Sequence, residues 1–215
     1  MSTTTSDIDC DVSTLFHDDD ADVTFVSSDN VIFKIHSLHL NPSTSIGLAR
    51  SPQDTISSSE DIDMEESSDV LEIIFQFIEP PPPSRNYKHP SIQALNPDLF
   101  FRVAETAENF VIYGATRICY DRMWQLASKY PSEVLNHSTL HGYTGLADKA
   151  AEYLLTHPIE GVIPKLTAPG LLMRYLLYSN LCWEKTRDAA GNLESGKCAR
   201  LISRYKRRMQ LQLPL

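Results

Sequence analysis

With 215 residues and 42% hydrophobic content, the chain has apolar material for one good core or two small ones, and no apolar run approaches the roughly 20 residues needed to cross a bilayer. Its formal net charge of −9 is unevenly spread: residues 1–72 carry sixteen acidic and two basic side chains, a net of −14, and residues 73–215 twelve acidic and seventeen basic, a net of +5. An acidic front half repels phosphates, so neither nucleic acid nor a membrane is expected as a partner.

The first residues, Met1-Ser-Thr-Thr-Thr-Ser-Asp-Ile-Asp, have neither a basic start nor an apolar stretch, which gives no secretory or transit signal and makes cytoplasm or nucleus the expected location. Cys10, Cys119, Cys182 and Cys198 form no C-x-x-C pair and are expected to be free thiols. Residues 1–14 are predicted to be a disordered leader rich in Ser, Thr and Asp. Val23 and Phe25 then share one face of a short strand, and Val31, Phe33 and Ile35 one face of a second, with Ser27-Ser-Asp-Asn30 as turn chemistry between them. A helix around Ser37–Leu40 should stop at Asn41-Pro42, and Ser43–Arg50 suits another short helix. Residues 51–69 form an acidic, Ser-rich loop with at most one strand at Ile62–Met64, after which Ser68 or Asp69 caps a helix carrying Val70, Ile74, Phe77 and Ile78 on one face.

Pro80-Pro-Pro-Pro83 ends that helix and opens a Pro-rich loop over 80–98. Beyond it the pattern is helical: Phe100, Val103, Ala104, Ala107, Phe110 and Val111 share one face, and Ile118, Cys119, Met123, Leu126 and Ala127 mark the next helix. Helical segments are expected at Tyr130–Leu135 and His141–Ala151, with Gly142 suited to a helix C-terminus, then through Leu146, Ala150 and Leu154, and finally through Leu171, Tyr175, Tyr178 and Cys182. Residues 184–215 are expected to be a basic, flexible tail whose charge peaks at Lys197, Arg200, Arg204, Lys206, Arg207 and Arg208.

The order Asp22-Val-Thr-Phe-Val26, then Phe33-Lys-Ile-His36-Ser-Leu38-His-Leu40, resembles the opening of the BTB/POZ domain, and the lead-in Leu15-Phe-His-Asp-Asp-Asp-Ala21 resembles versions common in fungal proteins. The resemblance covers residues 15–183. It implies an α+β fold: a BTB/POZ-like three-layer domain of a small sheet with helices over 15–128, followed by an α-helical C-terminal extension over 129–183. It makes Asp22, Phe33, His36 and Leu40 structural signature residues, with Asp22 and His36 a buried, hydrogen-bonded pair holding the hairpin against the following helix. It also implies action by protein–protein interaction, through self-association as a homodimer or docking of a partner protein, with Leu15, Phe16, Ile46 and Leu48 as the candidate surface. The alternative within the family is a substrate adaptor on a cullin scaffold of a ubiquitin ligase. Against it, the apolar-x-Glu element of adaptors is not evident in Ser51–Ser59, and no recruiting domain is present. The helix that normally builds the dimer is reduced to Ser13-Thr-Leu15-Phe16.

Side chains that carry chemistry favour structural roles. His36 with His39, and His137 with His141, have helical spacing for two metal ligands but no Cys or carboxylate in a zinc pattern. The Glu60–Glu66 cluster lacks the EF-hand order, and no G-x-S-x-G, P-loop or H-E-x-x-H occurs. A cysteine nucleophile would have to be Cys119, which falls on an apolar helix face. No catalytic residue, cofactor or metal is therefore expected; an uncharacterised hydrolase is the minority alternative. Pro80–Pro83 also satisfies P-x-x-P, although such a run more often stops a helix.

Overall fold

In the computed structural model, which describes residues 11–40, 61–78 and 90–191, four strands form one mixed sheet: β1 (Asp11–His17), β2 (Val23–Val26), β3 (Val31–Ile35) and β4 (Ile62–Asp63). Their order is β1-β3-β2-β4. The β2–β3 hairpin arises where alternation predicts it, with Val23 opposite Ile35 and Phe25 opposite Phe33, all four buried on one face. Asn30 closes the turn with φ 62°, a left-handed conformation that asparagine tolerates well. Ser27 locks it from the other side, its hydroxyl accepting the Val31 N–H at 2.9 Å. Strand β4 returns parallel to β2 in the predicted place, and Met64 N–H donates to the Val26 carbonyl at 2.8 Å.

Strand β1 corrects two expectations. Residues 11–14, assigned to a disordered leader, and Ser13–Phe16, expected as the remnant of a helix, are extended and pair parallel with β3. The register runs from Val12 opposite Ile32 to His17 opposite Lys34, so the intervening residues of β1 bulge. Within the bulge the Ser13 hydroxyl accepts the N–H groups of Leu15 at 3.3 Å and Phe16 at 3.4 Å. Ser13 and Phe16 therefore point inward three residues apart, where a regular strand would bury every second side chain.

Helix α1 (Ser68–Phe75) covers the sheet face with Val70, Leu71, Ile74 and Phe75, all buried. Phe75 is the hub of an aromatic cluster, its ring centroid 5.1 Å from Phe25, 5.4 Å from Phe33 and 5.8 Å from Phe16. The helix ends sooner than periodicity predicts, leaving Phe77 and Ile78 half-buried in a turn beyond it. Helix α2 (Pro97–Asn109) starts under the Asn96 cap, whose Oδ1 accepts the Leu99 N–H at 2.9 Å, with Pro97 in the first turn. Phe100, Val103, Ala104 and Ala107 form its buried face as expected; Phe110 and Val111 lie past its end, Val111 with φ 56°.

The chain divides into two compact units, residues 1–121 and 122–215, the boundary falling within α3 (Tyr113–Leu126). The second unit contains α4 (Pro131–Leu140) and α5 (Thr144–Leu154), an antiparallel-type helix pair joined at Gly142, whose φ of 75° is the left-handed stop expected there. Leu146, Ala150 and Leu154 are buried along α5 as predicted. A short α6 (Ile159–Val162) precedes α7 (Leu171–Gly191), which buries Leu171 and Tyr175. Helix α7 runs through 184–191, the first part of the expected flexible tail, because Glu184-Lys-Thr-Arg-Asp-Ala-Ala190 contains no breaker and the Thr186 hydroxyl donates to the Cys182 carbonyl at 2.8 Å. No described helix is long and apolar enough to cross a membrane.

Candidate interaction surfaces

Polar side chains at the hairpin's ends hold the first unit's surface in place. Asp22, expected as half of a buried pair with His36, is exposed. Its Oδ1 accepts the Ser37 N–H at 2.7 Å and its Oδ2 the Ser37 hydroxyl at 2.5 Å, so it ties the start of β2 to the 3-10 turn Ser37–His39. His36 is half-buried at the head of that turn, while Phe33 and Leu40 are buried. At the other end Asp29 plays the same part for α1. It accepts the Ser68 N–H at 2.8 Å and the Ser68 hydroxyl at 2.6 Å, hydrogen bonds that hold its carboxyl down at about 2 from an ordinary 3.8. The helix start is thus capped from the hairpin turn, and its N-cap residue is Ser67, one position before the expected Ser68 or Asp69. Arg102 of α2 donates to the Ser67 hydroxyl at 2.6 Å and to Asp69, closing a network that links turn, α1 and α2.

On this frame β1 is an edge strand, paired with β3 and with no other described strand. Val12 and Leu15 face outward from it, 47% and 42% exposed, and Leu38 stands 76% exposed on the 3-10 turn. Leu15 therefore sits on the surface as expected, but Phe16 does not: it is 7% exposed and packs on Phe33 and Phe75. The bulge at Ser13 is the reason, because it turns Phe16 inward. Ile46 and Leu48, the other two residues expected on this surface, lie outside the described residues, as do the Ser43–Arg50 helix and the Pro80–Pro83 run.

The second unit presents apolar surface that periodicity alone did not single out. On α7, Met173 is 64%, Leu177 59% and Trp183 63% exposed. Beneath it Asn136 of α4 clamps the segment leading into α7, its Oδ1 accepting the N–H groups of Thr167 at 2.9 Å and Ala168 at 3.1 Å while its Nδ2 donates to the Lys165 carbonyl at 2.7 Å. Both features were missed because the first is a face without buried positions and the second joins residues about thirty apart in sequence.

The side chains considered for chemistry are placed as follows. Cys119 is 2% exposed, and burial pushes its thiol up to about 12, so it is no thiolate at neutral pH. Burial also raises Cys182 and the nearby Tyr178. The helical spacing does bring His137 and His141 together, with ring centroids 4.5 Å apart and His137 buried and stacked on Tyr143. His36 and His39 meet edge to face at 5.9 Å. Of the acidic cluster, Asp61, Asp63 and Glu65 are exposed and Glu66 half-buried, while Glu60 lies outside the described residues. Compared with known proteins, the chain matches no family model and no curated protein.

Proposed function

We propose that the chain is a BTB/POZ-like protein–protein interaction module that works by self-association or by docking a partner protein. The observation that supports it best is the outward placement of large apolar side chains on well-formed elements: Val12 and Leu15 on an edge strand, and Met173, Leu177 and Trp183 on a long helix. The interiors beneath them are already filled, by the Phe16, Phe25, Phe33 and Phe75 cluster in one unit and by Leu146, Ala150 and Leu154 in the other. Apolar side chains held outward over filled cores favour contact with another macromolecule. A small sheet with a helix across one face also agrees with the α+β fold that the resemblance implies. The reducing compartments, cytoplasm or nucleus, fit the free thiols Cys119 and Cys182.

The test is capture of the full-length chain, expressed with two different tags on separate copies, followed by identification of what is retained. Recovery of the second tag supports self-association. Recovery of one stoichiometric partner protein supports docking, and a cullin among the retained proteins would assign the adaptor role. Recovery of neither copy nor partner overturns the proposal.

A further inference from the structure

Among the described residues, three of the eleven large hydrophobic side chains that stand exposed lie on α7, more than on any other element. At about 100° per residue, Met173, Leu177 and Glu184 fall within roughly 40° on the helix surface, with half-buried Leu181 beside them. The stripe lies opposite the side that buries Leu171, Tyr175 and Ser179. Its charges are polar along the axis: exposed Arg174 borders the N-terminal part, and exposed Glu184 and Asp188 the C-terminal part, while Lys185 and Arg187 lie on its flanks. Arg174 and Glu184 are ten residues apart, about 15 Å along the axis, too far to pair with each other within one copy. Asn180 Nδ2 donates to Glu184 Oε1 at 3.0 Å, fixing the carboxylate while leaving it further acceptor capacity.

We propose that this stripe is the seat of a second copy of the chain, packed antiparallel about a twofold axis level with Ser179. In that register Leu177 of each copy faces Leu181 of the other, and Arg174 of each faces Glu184 of the other, so every contact occurs twice, as an isologous interface requires. A parallel pair would instead set Arg174 against Arg174 and Glu184 against Glu184, and would align the helix dipoles unfavourably. The charge pattern therefore selects a second antiparallel α7 over an unrelated apolar partner. This inference rests on the self-association branch of the proposed function and assigns it to one helix.

The experiment is sedimentation velocity on the full-length chain and four variants: Leu177→Glu, Arg174→Glu, Glu184→Arg, and the last two combined. All three positions are at the surface, so unchanged circular dichroism is the control for folding. The expected result is a dimer that Leu177→Glu abolishes, that either single charge reversal weakens at least about tenfold, and that the double reversal restores. Rescue by the double reversal is the decisive outcome, since those two side chains meet only between copies. A dimer indifferent to Leu177→Glu and to both single reversals overturns the α7 surface while leaving self-association to stand on another. A wild-type chain that stays monomeric at the highest attainable concentration overturns this inference and the self-association branch together.

Discussion

Asp29 and Asn136 each join segments far apart in sequence, and each makes a prediction of its own. The Asp29 carboxyl is held at about 2, against an ordinary 3.8, first by the Ser68 hydroxyl it accepts. A depressed carboxyl contributes stability that is complete above the ordinary value and is lost as pH falls through the folded one. The chain should therefore weaken as pH drops from about 4 toward 2. Asp69 is also lowered, so the acid loss is shared; the difference between wild type and Asp29→Asn isolates the Asp29 part. Denaturant midpoints of the two proteins should converge as the pH is lowered across that interval, and a constant gap would refute the role. Asn136→Ala removes three hydrogen bonds to the 165–168 backbone and leaves the donors of Thr167 and Ala168 without that acceptor. Its cost should be about 1–3 kcal/mol in chemical denaturation, and a loss below about 0.5 kcal/mol would mean that water replaces the clamp without penalty.

At the scale of elements, what could be foreseen follows from how local the cause is. The β2–β3 hairpin was legible because alternation of Val23, Phe25, Phe33 and Ile35 and the Ser27–Asn30 turn are local signals. The faces of α2 and α5 and the stop at Gly142 were legible for the same reason. Strand β1 was not, because the Ser13 bulge replaces a period of two with a spacing of three and no strand template fits. The last turns of α7 were not, because Glu184-Lys-Thr-Arg-Asp188 is polar all round and looks like a tail. Of the residues proposed for a surface, Leu15 is exposed and its neighbour Phe16 is buried against expectation. That pair supplies the test of the strand. Phe16→Ala should cost about 3–5 kcal/mol, as expected when a buried aromatic ring is deleted. Leu15→Ala, one residue away, should stay within about 0.5 kcal/mol, as surface changes usually do. Comparable losses at the two positions, measured by thermal or denaturant unfolding, would show that β1 lacks the bulged register.

For the whole molecule, the division at residue 121 bears on cooperativity, because the chain forms two compact units. Phe75 draws its ring partners from β1, β2 and β3, all in the first unit. Asn136 holds backbone that belongs entirely to the second. Amide hydrogen exchange reports local opening free energies, so damage confined to one cooperative unit should accelerate exchange only there. In the full-length chain, Phe75→Ala should speed exchange in β2, β3 and α1 and leave α4, α5 and α7 at wild-type rates. Asn136→Ala should do the reverse. Exchange measured by mass spectrometry at peptide level separates these segments readily. If either substitution accelerates both sets alike, the two units open as one cooperative fold, and a change on the edge strand β1 would then be felt at α7. If the effects stay apart, each outward apolar surface is carried by a unit that keeps its own stability, and one can be altered for a binding test without unfolding the other.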